Sequence, residues 1–455
     1  MIGSIRKAST KVIHFFGICK FFCCFFQFCT KRHKKNATLD KIGKFNLFFR
    51  FNSVNLTKFV DFTCIYQKKV VILQPKMKNN ISMIQRLLET HIQKDLFSGK
   101  AICIMGARQT GKTTILKQLF ETRQDTLWLN ADLTQVREMF ARVSLGILRS
   151  IIGDHKIVVI DEAQRIADVG IKMKLITDNF PEVQLILTGS SSFDLSQKIN
   201  EPLTGRKWEY RLYPLSFSEL KNHTNIMDEI GCLPIRLIYG SYPEIVTHPG
   251  DEERRLTALA DSYLYKDVLE WSGIKKTDKL TKLLQALAYQ IGSEVSYNEL
   301  GNMLQLDAET VEKYITILEK AYVIFRVGSF SRNMRNELKF AKKVYFYDTG
   351  IRNAIIHNFA PIDVRQDVGA LWENWMVSEL RKKQEFLYGN TSLYFWRTTT
   401  QKEIDYLEER DGVISAYEFK WNPKKKSAKQ DAFLAAYPNA TLQTITPDNY
   451  FELLS

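Results

Sequence analysis

The stretch that most limits what this chain can fold into is Ala101 to Thr114, AICIMGARQTGKTT, in which Gly106 is followed after four residues by Gly111-Lys112-Thr113. That spacing is GxxxxGK[ST], a phosphate-binding loop. Such a loop turns its backbone N–H groups inward at a polyphosphate, so glycine stands where a Cβ would block the approach. The apolar run before it predicts a buried strand. The TTILKQLFE run after it predicts a helix whose positive end faces the same anion. Together they predict an α/β domain with a parallel sheet. Gly106, Ala107, Arg108, Gln109, Thr110, Gly111, Lys112, Thr113 and Thr114 are the candidate ATP contacts, with Lys112 on the β- and γ-phosphates and the Thr113 hydroxyl on Mg²⁺.

The loop needs carboxylates, and Lys156 to Gln164, KIVVIDEAQ, provides a pair at the end of an apolar strand. Ligands bind at that edge of open α/β sheets. Asp161 fits the Mg²⁺ shell and Glu162 fits the residue that orients or deprotonates the attacking water. A further strand, VQLILTGSSS from Val183 to Ser192, ends in a run of hydroxyls that includes Thr188 and Ser190. Arg206 follows Gly205 and could reach a γ-phosphate within the subunit or across an interface, or could serve in a surface ion pair. Upstream, Ser82 caps a predicted helix from Met83 on which Ile84, Leu87, Leu88 and Ile92 recur at helical spacing.

The segments GARQTGKTT, VVIDEAQ, LTGSSSFDLS, LTGR and YPLSFSEL, in this order, resemble the prokaryotic AAA-type ATPases of unknown biological role, whose C-terminal half is a domain of unknown function. The resemblance runs from about Ile81 to the end. It implies ATP hydrolysis, an AAA+-type sheet, and a polar sensor for the γ-phosphate or the attacking water at Thr188 or Ser190, on the strand equivalent to the family's. One departure is Ala107, where the family usually has proline. Gly240 to Glu244, GSYPE, resembles the family's GGYPE-like element.

Beyond the nucleotide domain, Glu252 to Trp271 reads as a helix of a lid or linker. Then LTKLLQALAYQIG, SYNELGNMLQ and DAETVEKYITILEKAY predict three helices, followed by the strand VIFRVGSF: the order of a winged helix, with Asp307 capping the third helix. Its outward candidates, Glu309, Thr310, Glu312, Lys313 and Thr316, are poor in the cations that phosphate contacts need. DNA contact and protein packing both stay open for it. Farther on, ALWENWMVSEL carries Glu373 and Glu379 on a helix, and LYFWRT, EIDYL and VISAYEFKW read as strands carrying Asp405, Glu418 and Lys420. A helix Glu, an Asp, then Glu-x-Lys is the constellation of PD-(D/E)xK nucleases. There Asp405, Glu418 and Glu373 would hold Mg²⁺, and Lys420 would position water and stabilise the phosphate. Arg397 and the run Lys424-Lys425-Lys426 are candidates for holding nucleic acid.

Charge and length set the remaining bounds. At 455 residues the chain exceeds one ordinary core. Its net charge of +14 lies wholly in residues 1–80, where sixteen Lys and Arg face only Asp40 and Asp61. The machinery downstream, with 48 Lys and Arg against 48 acids, is therefore neutral overall, and the basic charge lies outside it. That leader also holds thirteen of the 29 phenylalanines and five of the seven cysteines. Three readings stay open for it: an upstream region outside the native protein, with Met77 or Met83 as the start; a membrane anchor or cleaved signal from Val12 to Cys29; or a basic nucleic-acid arm. Cys103 and Cys232 alone lie beyond it, so a reducing, cytoplasmic setting is expected.

The expected architecture is a leader (1–80), a P-loop AAA+-type parallel-sheet domain (81–225), a helical lid (226–278), a winged helix (279–330) and a restriction-endonuclease-like α/β domain (331–455). The expected function is ATP and Mg²⁺ binding and hydrolysis directed at DNA, with nuclease-like output. The alternative is a nucleotide-dependent switch, inactive in cleavage, whose C-terminal domain binds a partner. Homo-oligomers are in keeping with either, and membrane contact only with a retained leader.

Overall fold

Parallel strands buried on both faces read as continuous apolar runs, and the first sheet is made of them. The structure, a computed structural model, describes residues 63–66, 69–72, 83–190, 199–263, 277–330, 342–388, 392–398, 402–422 and 430–455. The chain divides into two units, residues 1–80 and 81–455. In the first, β1 (Thr63–Tyr66) and β2 (Lys69–Ile72) pair antiparallel. The segment from Val12 to Cys29 lies outside the described residues. Among the described residues, no helix is long and apolar enough to cross a membrane.

In the second unit, β3 (Ala101–Met105), β4 (Thr126–Asn130), β5 (Ile157–Asp161), β6 (Gln184–Gly189) and β7 (Lys207–Arg211) form an all-parallel sheet of order β4-β5-β6-β3-β7. Ile157, Val158, Val159 and Ile160 are all fully buried or nearly so. Each such side chain contributes about 1.5–3 kcal/mol. The chain leaves β3, which lies next to the edge strand β7, and crosses to the far edge for β4. The phosphate loop therefore opens at the switch point, where crevices form. The predicted order of a strand, the loop and a helix, now Lys112–Phe120, is observed.

The helix expected from Met83 begins instead at Leu88 and runs to Asp95. Residues 83–86 stay out of the helix, and the backbone N–H of Arg86 is taken by the Glu89 side chain at 2.9 Å. The tertiary contacts of Arg86 described below override the local periodicity.

The next region is helical: Phe217–His223, Ile226–Gly231, Leu233–Tyr239, Pro243–Thr247 and Glu252–Tyr263. At the GSYPE turn, Gly240 has φ +70, and a Cβ there would stand 2.0 Å from Asp348 Oδ1. Only glycine fits. The three helices expected from residue 280 are present as Thr277–Tyr289, Tyr297–Leu304 and Ala308–Lys320, the last capped by Asp307.

A second sheet, of seven strands, comprises β8 (Glu294–Val295), β9 (Ile324–Ser329), β10 (Lys342–Phe346), β11 (Ser392–Arg397), β12 (Glu403–Arg410), β13 (Val413–Phe419) and β14 (Thr441–Ile445). Its order is β14-β13-β12-β11-β9-β10-β8. The long helix Val368–Tyr388 packs on it. This sheet crosses the boundary expected at residue 330. β10 pairs antiparallel with one edge of β9, and β11 pairs parallel with the other, Tyr394 opposite Gly328. The sequence shows β9, β11, β12 and β13, but neither β8, β10 and β14 nor which edges are satisfied.

Candidate functional site

The phosphate loop is shaped by positive backbone angles at Gly106 (φ 158), Gln109 (φ 57) and Gly111 (φ 98). A Cβ at Gly106 would stand 2.2 Å from the carbonyl oxygen of Leu212 on the neighbouring chain segment. Close strand packing thus requires that glycine. Lys112 is buried, and its Nζ donates to the carbonyls of Gly106 and Ala107, both at 2.8 Å. The Thr110 hydroxyl donates to Ala107 O at 2.9 Å. Arg108, Gln109, Thr113 and Thr114 lie along the open rim, partly or fully exposed.

β6 lies between the loop strand and the carboxylate strand, and this ordering assembles the site. Thr113 Oγ1 donates to Asp161 Oδ2 at 2.9 Å. Thr188, fully buried on β6, donates to Asp161 Oδ1 and accepts the Glu162 N–H at 3.1 Å. Glu162 has left-handed backbone, φ 53 and ψ 42, a conformation that costs a non-glycine residue and clusters at functional positions. Gln164 Nε2 donates to Glu162 Oε2 at 2.5 Å and to Ser190 Oγ at 3.0 Å. Ser190 therefore reaches Glu162 through Gln164, while Thr188 touches both acidic residues directly. Ser191 and Ser192 lie outside the described residues. A threonine hydroxyl beside a single carboxylate is a hard-oxygen pair that fits Mg²⁺ completing its shell with phosphate and water.

Arg206 is not brought to this site. It precedes β7, whose first residue pairs with Ala101, so it lies at the sheet edge opposite the loop. Its Nε donates to Asp178 at 2.6 Å on the exposed surface. The expected reach to a γ-phosphate within the subunit is thereby corrected.

Sequence reasoning missed Arg86. Its side chain is buried and donates to Thr110 O at 2.6 Å, Tyr213 O at 2.7 Å and Glu219 Oε1 at 2.9 Å. These partners are 24, 127 and 133 residues away, so no local pattern reveals them.

The C-terminal candidates do converge. Tyr406 pairs with Tyr417, which sets Asp405 and Glu418 side by side at the next rung of β12 and β13. Asp405 accepts the Phe419 N–H at 2.8 Å. Burial, and then the nearby Glu373 carboxylate, push its carboxyl up to about 7, against the pull of Lys343 and Lys420. Lys420 pairs with Glu418 at 2.7 Å. The unforeseen member is Lys343 on β10, buried, with Nζ 3.0 Å from Glu373 Oε1 and 2.6 Å from Glu403 Oε1. Burial opposes its charge, but Tyr345, Glu373, Glu403 and Asp405 hold its ammonium well above the usual lysine range. Tyr345 also donates its hydroxyl to Glu373 at 2.7 Å. Arg397 pairs with Glu294 at 2.8 Å and lies 3.7 Å from Glu403, so it serves this network. Lys424, Lys425 and Lys426 lie outside the described residues.

Of the three carboxylates expected to hold a metal, Glu373 and Glu418 each have a lysine partner in this arrangement. Among the described residues, no three His, Cys, Asp or Glu side chains form a group that could hold a metal ion. Lys343 lies on Glu373, and Lys420 on Glu418. A buried carboxylate already neutralised by an ammonium offers a dication far less than a bare one.

Residues 98–221 match the model of an AAA domain, residues 233–361 a domain of unknown function (DUF8612), and residues 368–449 another (DUF4143). The chain thus carries an AAA-type P-loop nucleotide-binding domain followed by an additional α/β sheet domain. It is similar to the uncharacterised protein MJ1544 of Methanocaldococcus jannaschii, 22% identical over 404 residues, covering 82% of this chain and 87% of that one. It is likewise similar to the uncharacterised protein Rv2008c of Mycobacterium tuberculosis, 24% identical over 365 residues and 77% of each chain. Among solved structures, the Walker-type ATPase PABY2304 of Pyrococcus abyssi aligns at 15% identity and a TM-score of 0.44, over 62% of this chain and 99% of that one.

Proposed function

We propose that the chain binds ATP with Mg²⁺ at the β3 loop, hydrolyses it, and uses the cycle to reset how its C-terminal domain engages a partner in the cytoplasm. The observation that carries this reading is the contact of Thr113 with Asp161 at 2.9 Å, with Glu162 held beside it in left-handed backbone. Thr113 and Asp161 would hold the Mg²⁺, whose charge would neutralise phosphate oxygens. Lys112 exchanges the carbonyls of Gly106 and Ala107 for the β- and γ-phosphates. Glu162 orients the attacking water and takes its proton, with Gln164 and Ser190 fixing the carboxylate. Water oxygen bonds to the γ-phosphorus, and the bond to the β–γ bridging oxygen breaks. In the purified full chain, Glu162→Gln should keep MgATP affinity within about threefold and lower turnover by at least about 10²-fold. Turnover retained in that variant removes Glu162 from the role.

For the output we favour partner binding over nucleic-acid cleavage. Lys343 and Lys420 neutralise the carboxylates that cleavage would need for metal, and the exposed face of helix Ala308–Lys320 presents Glu309 and Glu312 beside Lys313. The test is incubation of the full chain with ATP, Mg²⁺ or Mn²⁺, and DNA or RNA. Cleavage that disappears in Lys420→Ala would restore the nuclease reading.

A further inference from the structure

The sequence segment YPLSFSEL, Tyr213 to Leu220, has no part in the hydrolytic chemistry above, yet Tyr213 O, Leu215 O, Ser216 and Glu219 are all engaged. Ser216 and Glu219 form a reciprocal capping box on helix Phe217–His223. That box would be complete by itself. Instead Glu219 Oε1 also accepts the Leu87 N–H at 3.0 Å and the Arg86 guanidinium at 2.9 Å. The other two arms of Arg86 grip Tyr213 O and Thr110 O, the latter within the phosphate loop. Arg86 also lies alongside Gly111, whose ideal Cβ position is 3.6 Å from its Nη1.

The same helix start is held from the other side. Glu379 Oε2 accepts the Phe217 N–H at 2.8 Å, and Lys382 Nζ reaches Glu379 Oε1 at 2.7 Å and Leu215 O at 3.2 Å. Both residues belong to helix Val368–Tyr388, six and nine positions beyond Glu373 of the carboxylate cluster. Glu385 on that helix binds Arg211 at 3.0 Å, next to the strand end that packs on the loop. The sequence places Glu379 on the same helix as Glu373. The structure turns it toward the nucleotide domain.

We propose that Arg86 is a positioning residue for the phosphate loop, and that through Glu219 and the start of helix Phe217–His223 it joins the loop to helix Val368–Tyr388, so that the C-terminal domain sets nucleotide affinity. This rests on the ATP reading above. A guanidinium can bridge three acceptors in fixed directions, whereas an ammonium is a point charge on a flexible stem. The loop geometry thus depends on arginine specifically. Coupling of this kind is established by energetic interaction between the ends and not by adjacency alone.

The experiment uses the full chain as wild type, Arg86→Ala, Arg86→Lys, Glu379→Gln and the Arg86→Ala/Glu379→Gln double variant. Hydrogen exchange without nucleotide reads the loop itself: peptides spanning 106–116 should exchange at least about tenfold faster in Arg86→Ala, while those spanning 157–160 stay protected. MgATP affinity should fall at least about tenfold in both Arg86→Ala and Arg86→Lys, and tens of millimolar methylguanidinium should restore it in Arg86→Ala alone. Glu379→Gln should weaken MgATP at least about threefold, with the double variant less than multiplicative. Unchanged loop exchange, or full affinity in Arg86→Lys, overturns the positioning role. Multiplicative effects overturn the link to the C-terminal helix. Wild type that binds no MgATP would sink the ATP reading instead, and loop exchange would still decide the role of Arg86.

Discussion

The nucleotide site and the C-terminal carboxylate cluster both gather charged side chains at strand ends, but they resolve those charges in opposite ways. At the first, the Asp161 carboxylate is met by the hydroxyls of Thr113 and Thr188, which leave its negative charge standing. At the second, ammonium groups close on the carboxylates: Lys343 on Glu373 and Glu403, Lys420 on Glu418. Hydroxyl partners fix geometry without cancelling charge, so a site built on them stays ready for a cation. Ammonium partners supply the cation internally.

The sharpest way to test the contrast is Lys112→Ala, which should weaken ATP binding by at least about 10²-fold, read by equilibrium titration with a fluorescent ATP analogue. An affinity near wild type would show that the loop does not cradle phosphate. Next comes Lys343→Met, which strands Glu373 and Glu403 without their shared partner. Breaking a buried pair in this way costs about 3–5 kcal/mol, measurable by denaturant unfolding. A loss below about 1 kcal/mol would mean that the cluster does not depend on its lysine.

A smaller effect concerns pH. The folded carboxyl of Asp405 is raised to about 7, above the ordinary carboxylate value. Its contribution is therefore fully present below about pH 4 and is lost as pH rises through 7. Asp405→Asn should flatten the stability profile across that window, removing a slope of at most about 1.4 kcal/mol per pH unit. An unaltered profile would place the titration elsewhere. The least effect is expected from Arg206→Ala, with ATP turnover within twofold of wild type, since this surface pair with Asp178 contributes little. A large loss that depends on protein concentration would instead assign Arg206 to a neighbouring subunit.

What the sequence discloses follows the range of each interaction. The loop and the helix after it are legible because they are contiguous residues whose spacing is the chemistry, and Asp161 because it ends an apolar strand. Asp405, Glu418 and Lys420 are legible because strand alternation puts Glu418 and Lys420 on one face. Lys343 carries a weaker signal: it shares the parity of buried Tyr345 on an apolar strand, where a charge demands a partner. Arg206 is readable in hindsight, since a residue just before a parallel strand lies at the edge away from the ligand. Arg86 has no such signal. Its surroundings look like the first turn of a helix, and only the return of the chain at Thr110, Tyr213 and Glu219 shows why that turn is left unwound.

The seven-stranded sheet bears on how such a chain is inherited. The two domains of unknown function meet between residues 361 and 368, yet strands from both are stitched together where β11 lies against β9, and Phe330 N–H bonds Phe395 O at 2.6 Å. The unit of ancestry and the unit of folding therefore do not coincide. A fragment beginning at residue 368 would bare the β11 edge, and one ending at residue 361 would bare the β9 edge. Either piece alone would carry an unpaired strand border of the kind that draws chains into aggregates. Recombination at that junction should succeed only when the two halves travel together.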